Sequence, residues 1–225
     1  VLAGDVEVPY IMGKIKEYFG TIPSGEAFPP LTIRDPEPAG EKRFIVKRKD
    51  APNLMTIAFK TPEVGHPRLF ALDIAEGVLN GRSGRLYKRL VEEEKLAVSV
   101  RAANSPNKYV SEFSISVQLR PDASLEKAEK IIWEELERLK NEPVSLREFQ
   151  KVKNNSYASI VRSLRDMENV ATMLAWYEIF GDYKIFLSWA EKLDSVSVEN
   201  VQEAAKETFK KELSVNGILL GTQGE

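Results

Sequence analysis

The sequence predicts an α+β fold in which a largely antiparallel sheet packs against several helices. Three observations carry that prediction. Residues 96–102 and 109–119 alternate apolar with polar side chains on either side of Asn104-Ser105-Pro106-Asn107, the pattern of a hairpin with one wet face. From residue 125 the apolar spacing becomes helical and stays so for most of the remaining chain. A last strand pattern returns at residues 214–220. Strands and helices grouped in blocks are the mark of this class.

Taken in order, residues 1–6 read as a short strand, and residues 8–19 carry Ile11, Ile15 and Phe19 at helical spacing before Gly20. Pro23, Pro29, Pro30, Pro36 and Pro38 follow, each lacking the N–H that a ladder needs, so residues 23–40 read as an extended linker. The expected division is therefore residues 1–22 as the last strand and helix of a preceding unit, 23–40 as linker, and 41–225 as the main domain. Residues 44–49 and 54–60 are strands, the second with Met55, Ile57 and Phe59 on one face. Residues 68–79 form a helix, and another starts near Ser83, its expected N-cap. In the hairpin, Tyr109, Phe113, Ile115, Val117 and Leu119 share a face, and Leu96, Val98, Val100 and Ala102 are grouped as packed positions.

Residues 125–139 place Leu125, Ala128, Ile132, Leu136 and Leu139 on one stripe. Ser145-Leu146-Arg147-Glu148 is a capping box, with hydroxyl and carboxylate satisfying each other's free N–H groups. Helices are expected over 146–164, 167–180, 184–193 and 198–210.

With 225 residues, 43% hydrophobic and 29% charged, the chain has the composition of a globular protein able to bury a real core. A net charge of −2 gives no long-range reason to expect nucleic acid or anionic lipid as a partner. No apolar run approaches the roughly 20 residues that cross a bilayer. The start at Val1-Leu2-Ala3, without an initiator Met, is read as that of a portion excised from a longer chain. Zero Cys is compatible with a bacterial envelope or periplasm and with a cytoplasm.

Chemistry is scarce. His66 is the only histidine, and with no Cys the chain cannot assemble the roughly three converging ligands of a zinc site. Between Gly65 and Pro67 it reads as a turn or capping residue. No Gly-x-Ser-x-Gly elbow accompanies it, which removes serine hydrolase chemistry. Gly81-Arg82-Ser83-Gly84 fits neither the P-loop nor the dinucleotide fingerprint, and reads as a helix start. Glu92-Glu93-Glu94 reads as a solvated face, and Trp133, Trp176 and Trp189 as core or interface packing.

The segment Gly81-Arg82-Ser83-Gly84-Arg85-Leu86-Tyr87, with Leu90-Val91-Glu92-Glu93 and Leu96-Ala97-Val98-Ser99-Val100, resembles the second half-domain of the pitrilysin/insulinase zinc metallopeptidases, the inverzincins. Tyr18-Phe19-Gly20-Thr21-Ile22-Pro23, Gly65-His66-Pro67, Val144-Ser145 with Glu148, and Lys151 with Asn154 are similar to that family in the same order, so the resemblance covers nearly the whole chain. It implies a clamshell in which each half holds two related α+β units, the zinc motif H-x-x-E-H lying in the first unit of an active half. It also implies an Arg and a Tyr seven positions apart in the complementary half that hold substrate and stabilise the oxyanion. Val91 and Val98 stand at those positions, and neither side chain donates a hydrogen bond.

The resemblance thus implies a domain without catalytic residues of its own in a zinc-dependent metalloendopeptidase subunit. Such a domain forms part of the peptide-binding chamber, with Arg82, Ser83, Arg85 and Tyr87 as chamber candidates. No cofactor is expected in this chain, and zinc is expected in the parent or partner. The partners implied are another half or subunit of the same family and a peptide substrate. The alternative is a domain of a wholly non-catalytic structural or assembly subunit.

Overall fold

A computed structural model describes residues 1–26, 28–29, 31, 36 and 38–222. Pro30 and several neighbours in the expected linker lie outside the described residues. Helix α1, Val8–Phe19, has the expected bounds and a Pro in its first turn, where the missing N–H costs nothing. The expected strand at residues 1–6 is not formed: the chain bends at Gly4 (φ 141°) and Asp5, and among the described residues no strand pairs with it.

Among the described residues five strands form one sheet: β1 Lys42–Lys49, β2 Leu54–Thr61, β3 Ala97–Ser105, β4 Ser111–Leu119 and β5 Ser214–Thr222. Their order is β1-β5-β2-β4-β3, and only β1 with β5 runs parallel. The helices are α2 Pro67–Leu79, α3 Arg85–Tyr87, α4 Leu125–Asn141, α5 Leu146–Ser163, α6 Met167–Phe180, α7 Lys184–Leu187, α8 Trp189–Asp194 and α9 Val198–Thr208. The helix expected over 184–193 is divided at Ser188, whose hydroxyl donates back to the Ile185 carbonyl (3.2 Å) and competes with the helical ladder.

Strict alternation decides which face of the sheet is buried. Met55, Ile57 and Phe59 of β2 and Phe113, Ile115, Val117 and Leu119 of β4 point one way, onto Leu72 and Leu79 of α2, Ile132 and Leu136 of α4, and Val201 and Ala205 of α9. At the centre, Phe209 meets Phe113 (centroids 4.9 Å apart) and Phe59 (5.3 Å) at tilted, edge-on angles that suit the ring quadrupoles. Trp133 meets Phe59 edge-on at 5.9 Å, as its core reading requires. Tyr109 does not join this face. β4 begins at Ser111, whose buried hydroxyl accepts from the Asn107 N–H (2.9 Å) and closes the hairpin, leaving Tyr109 exposed.

Phe113 is fully buried in the aromatic cluster. Phe113→Ala is expected to cost about 3–5 kcal/mol, read as a lowered urea midpoint at an unchanged slope.

Candidate functional site

The segment after α2 folds through close backbone contacts. Gly81 is left-handed (φ 76°), and Gly84, not Ser83, is the N-cap of α3. A Cβ at Gly84 would lie 2.1 Å from the Asn80 carbonyl oxygen, so only glycine fits. Ser83, displaced from the expected cap, instead accepts from the Lys151 ammonium (3.1 Å). After Tyr87 the helix widens into a π-turn, Lys88–Glu93, in which the Glu94 N–H donates to the Arg89 carbonyl (3.0 Å). The Leu96 N–H then donates to the Leu90 carbonyl (2.9 Å), and the chain enters β3.

Two cations of this segment, Arg85 and Arg89, face the helix layer. Arg85 is buried and donates through Nε and Nη2 to the two Glu148 oxygens, both at 2.9 Å. Glu148 is also the third residue of the expected capping box: its carboxylate accepts from the Ser145 hydroxyl (2.8 Å) and N–H (3.3 Å). Arg89 reaches Glu134 (2.7 Å) and Glu135 (3.1 Å) on α4. Arg82 and Ser83 are exposed and Tyr87 is half-buried, so these three, unlike Arg85, have surface to offer a partner or peptide.

Val91 sits in the π-turn, partly buried against the core. Val98 is 55% exposed, against the packed grouping expected for it. The cause is a β-bulge: Ala97 lies opposite Leu119 and Ser99 opposite Gln118, so Val98 has no partner and the alternation shifts by one residue. Ala97, not Val98, enters the core.

The other face of the sheet is left open. Thr56 and Ser116 share a cross-strand hydrogen bond (3.0 Å) at its centre, with Ser114 and Gln118 beside them on β4 and Ser99 and Arg101 on β3. Towards β1 the face becomes apolar, with Phe44 opposite Gly217 and Val46 opposite Leu219. These side chains are half-buried or exposed, and among the described residues no helix seals them in.

The two sheet edges differ. At β3, the Ala102 N–H donates to Asn80 Oδ1 (2.7 Å), Asn80 Nδ2 donates to the Ala102 carbonyl (2.6 Å), and the Asn104 N–H donates to Glu76 (2.9 Å). Side chains of α2 and of its C-cap Asn80 thus take the place of a further strand. At β1 the edge is open among the described residues, and every residue of the strand is exposed. Nothing in the sequence announced Asn80 or Glu76 as edge caps, since the pairing is long-range.

Zinc does not fit this donor set. His66 caps α2, its Nδ1 accepting from the Arg68 N–H (3.1 Å), and among the described residues no three His, Cys, Asp or Glu side chains group as ligands.

Arg85 holds the Glu148 carboxyl down at about 2, from an ordinary value near 4.5, with the Ser145 cap adding to the effect and burial opposing it. Because the folded value is the lower one, the contribution is complete above pH 4.5 and is lost as pH falls towards about 2. Urea unfolding of Glu148→Gln is expected to lose that part of the acid-side slope. Val98→Ala is expected to change stability by less than about 0.5 kcal/mol, which a buried valine would exceed.

The family model described as the Peptidase M16 inactive domain matches residues 1–156. The Zinc protease PqqE of Helicobacter pylori is 26% identical over 215 residues, covering 93% of this chain and 48% of that protein. The Uncharacterized zinc protease YmxG of Bacillus subtilis is 26% identical over 218 residues, covering 95% of this chain and 52% of that protein. The chain therefore spans about half the length of these curated relatives. The crystal structure of a protease from Helicobacter pylori is similar with a TM-score of 0.91 at 24% identity, covering 97% of this chain and 53% of that one, a likeness of fold. With the match running through the Gly-rich turn, the π-turn, the bulge and the capping box, the chain belongs to the peptidase M16 family and carries its inactive domain.

Proposed function

We propose that this domain works as a non-catalytic unit of a zinc-dependent metalloendopeptidase, its open sheet face forming part of the wall of the peptide chamber and the rim of that face meeting a partner half. The observation that carries this reading is the one-sided sheet. A face lined at its centre by Thr56, Ser114, Ser116 and Gln118 presents short polar groups that hydrogen-bond without demanding a particular sequence. Arg101 adds a cation, and Phe44 and Val46 supply an apolar flank for side chains of a bound peptide.

Val91 and Val98 add no donor. In this reading they leave to other domains both the charge stabilisation and the metal-activated water that peptide hydrolysis needs. Arg85 serves as the strut that holds the Gly-rich turn on α5, while Arg82, Ser83 and Tyr87 are the residues of that turn positioned for contact.

A photo-crosslinker at position 116 tests this reading in a complex with a half that carries H-x-x-E-H. Replacing Ser116, on the open face, is expected to label a bound peptide, whereas replacing Lys130, exposed on the helix side, is not. Equal labelling at both positions, or none at 116 in an active complex, contradicts the chamber wall.

A further inference from the structure

One sheet edge is closed by side chains, the other is bare among the described residues, and the bare one is strongly charged. β1 reads Lys42-Arg43-Phe44-Ile45-Val46-Lys47-Arg48-Lys49, five cations around three apolar residues, all exposed. Arg43 is committed to Glu129 of α4 by two hydrogen bonds (2.8 and 2.9 Å), and Glu41 at the same end accepts from Asn216. At the far end, Lys47, Arg48 and Lys49 have no ion-pair partner among the described residues.

Edge lysines commonly serve to discourage strand pairing. Here, however, the strand is eight residues long, about 26 Å at the usual rise, and carries an apolar centre. The far end of the Phe44 ring reaches over Gly217 of β5, where a Cβ would come within 2.8 Å of it, so the largest side chain of the strand leans towards the sheet rather than over its outer edge. The charges select among partners instead. A second copy of β1 would bring cations opposite cations at both ends, in either direction of pairing. An acidic strand meets the reverse situation.

We propose that the open edge of β1 receives an extended polypeptide segment bearing acidic side chains, which adds to the sheet as a sixth strand. Main-chain hydrogen bonds along the edge supply the binding, Phe44, Ile45 and Val46 receive apolar side chains, and Lys47, Arg48 and Lys49 select for carboxylates. The site borders the proposed chamber wall and shares Phe44 and Val46 with it, but its main-chain edge is distinct from that face, and its occupancy is measurable on this chain without cleavage and without a partner half.

The probe is a fluorescent alternating Glu–Val peptide matched in length to β1, compared with a Lys–Val peptide and with a Glu–Val peptide N-methylated at alternate residues. Saturable binding of the first peptide alone is expected, with slowed amide exchange at residues 42–49. Combined Lys47→Glu, Arg48→Glu and Lys49→Glu, all surface changes whose folding a thermal melt verifies, is expected to weaken it by about tenfold and to turn the preference to the Lys–Val peptide. Equal binding of the Lys–Val or N-methylated peptide, no saturable binding, or protection confined to strands other than β1 overturns the proposal. So does dimerisation of the free chain with protection centred on residues 42–49.

Discussion

The structure depends on the one-sided burial of its sheet. β2 and β4 are the inner strands that commit whole rows of large apolar side chains to a single face, and α2, α4 and α9 settle on that row because nothing else removes it from water. Phe209, placed just after α9, ties this layer to both strands through Phe59 and Phe113. Once the helices are on one side, the opposite face, with its short polar side chains, is available for something other than the core.

The same constraint explains the Gly-rich turn that identifies the family. Its glycines let the backbone turn sharply after α2, and the arginines that follow them are directed into the helix layer, Arg85 meeting the cap of α5 and Arg89 meeting α4, while Arg82 stays exposed. A segment that resembles a functional signature is thus largely a brace. Its charges hold helices together, and its two valines sit where the family resemblance places donors. In the proposed reading the domain works through its surface: the open face, the exposed residues Arg82 and Ser83 with half-buried Tyr87, and the β1 edge, which is open among the described residues.

What the sequence revealed follows the range of the interactions. Period-two rows in β2 and β4, the Ser145–Glu148 cap and the His66 cap are local, and each appears where the residues indicate. The failures are cases in which a distant or backbone constraint wins. Val98 was grouped with the core by alternation, but the bulge, set by the pairing of β3 with β4, turns it out. Ser83 has the chemistry of a cap, but the approach of Gly84 to Asn80 fixes the helix start one residue later. The π-turn at Lys88–Glu93 has no sequence period of its own, and residues 1–6, though apolar in part, have no strand to pair with among the described residues.

The chain belongs to the peptidase M16 family, and among the described residues no metal-ligand set is grouped; the proposed reading puts the chemistry on other domains. The most direct measurement is zinc content together with peptide cleavage, on the purified chain after zinc loading and again after adding a half that carries H-x-x-E-H. The chain alone is predicted to retain no stoichiometric zinc and to cleave nothing, with chelator-sensitive cleavage appearing only in the complex. One tightly held zinc per chain, with chelator-sensitive cleavage by the chain alone, would contradict it.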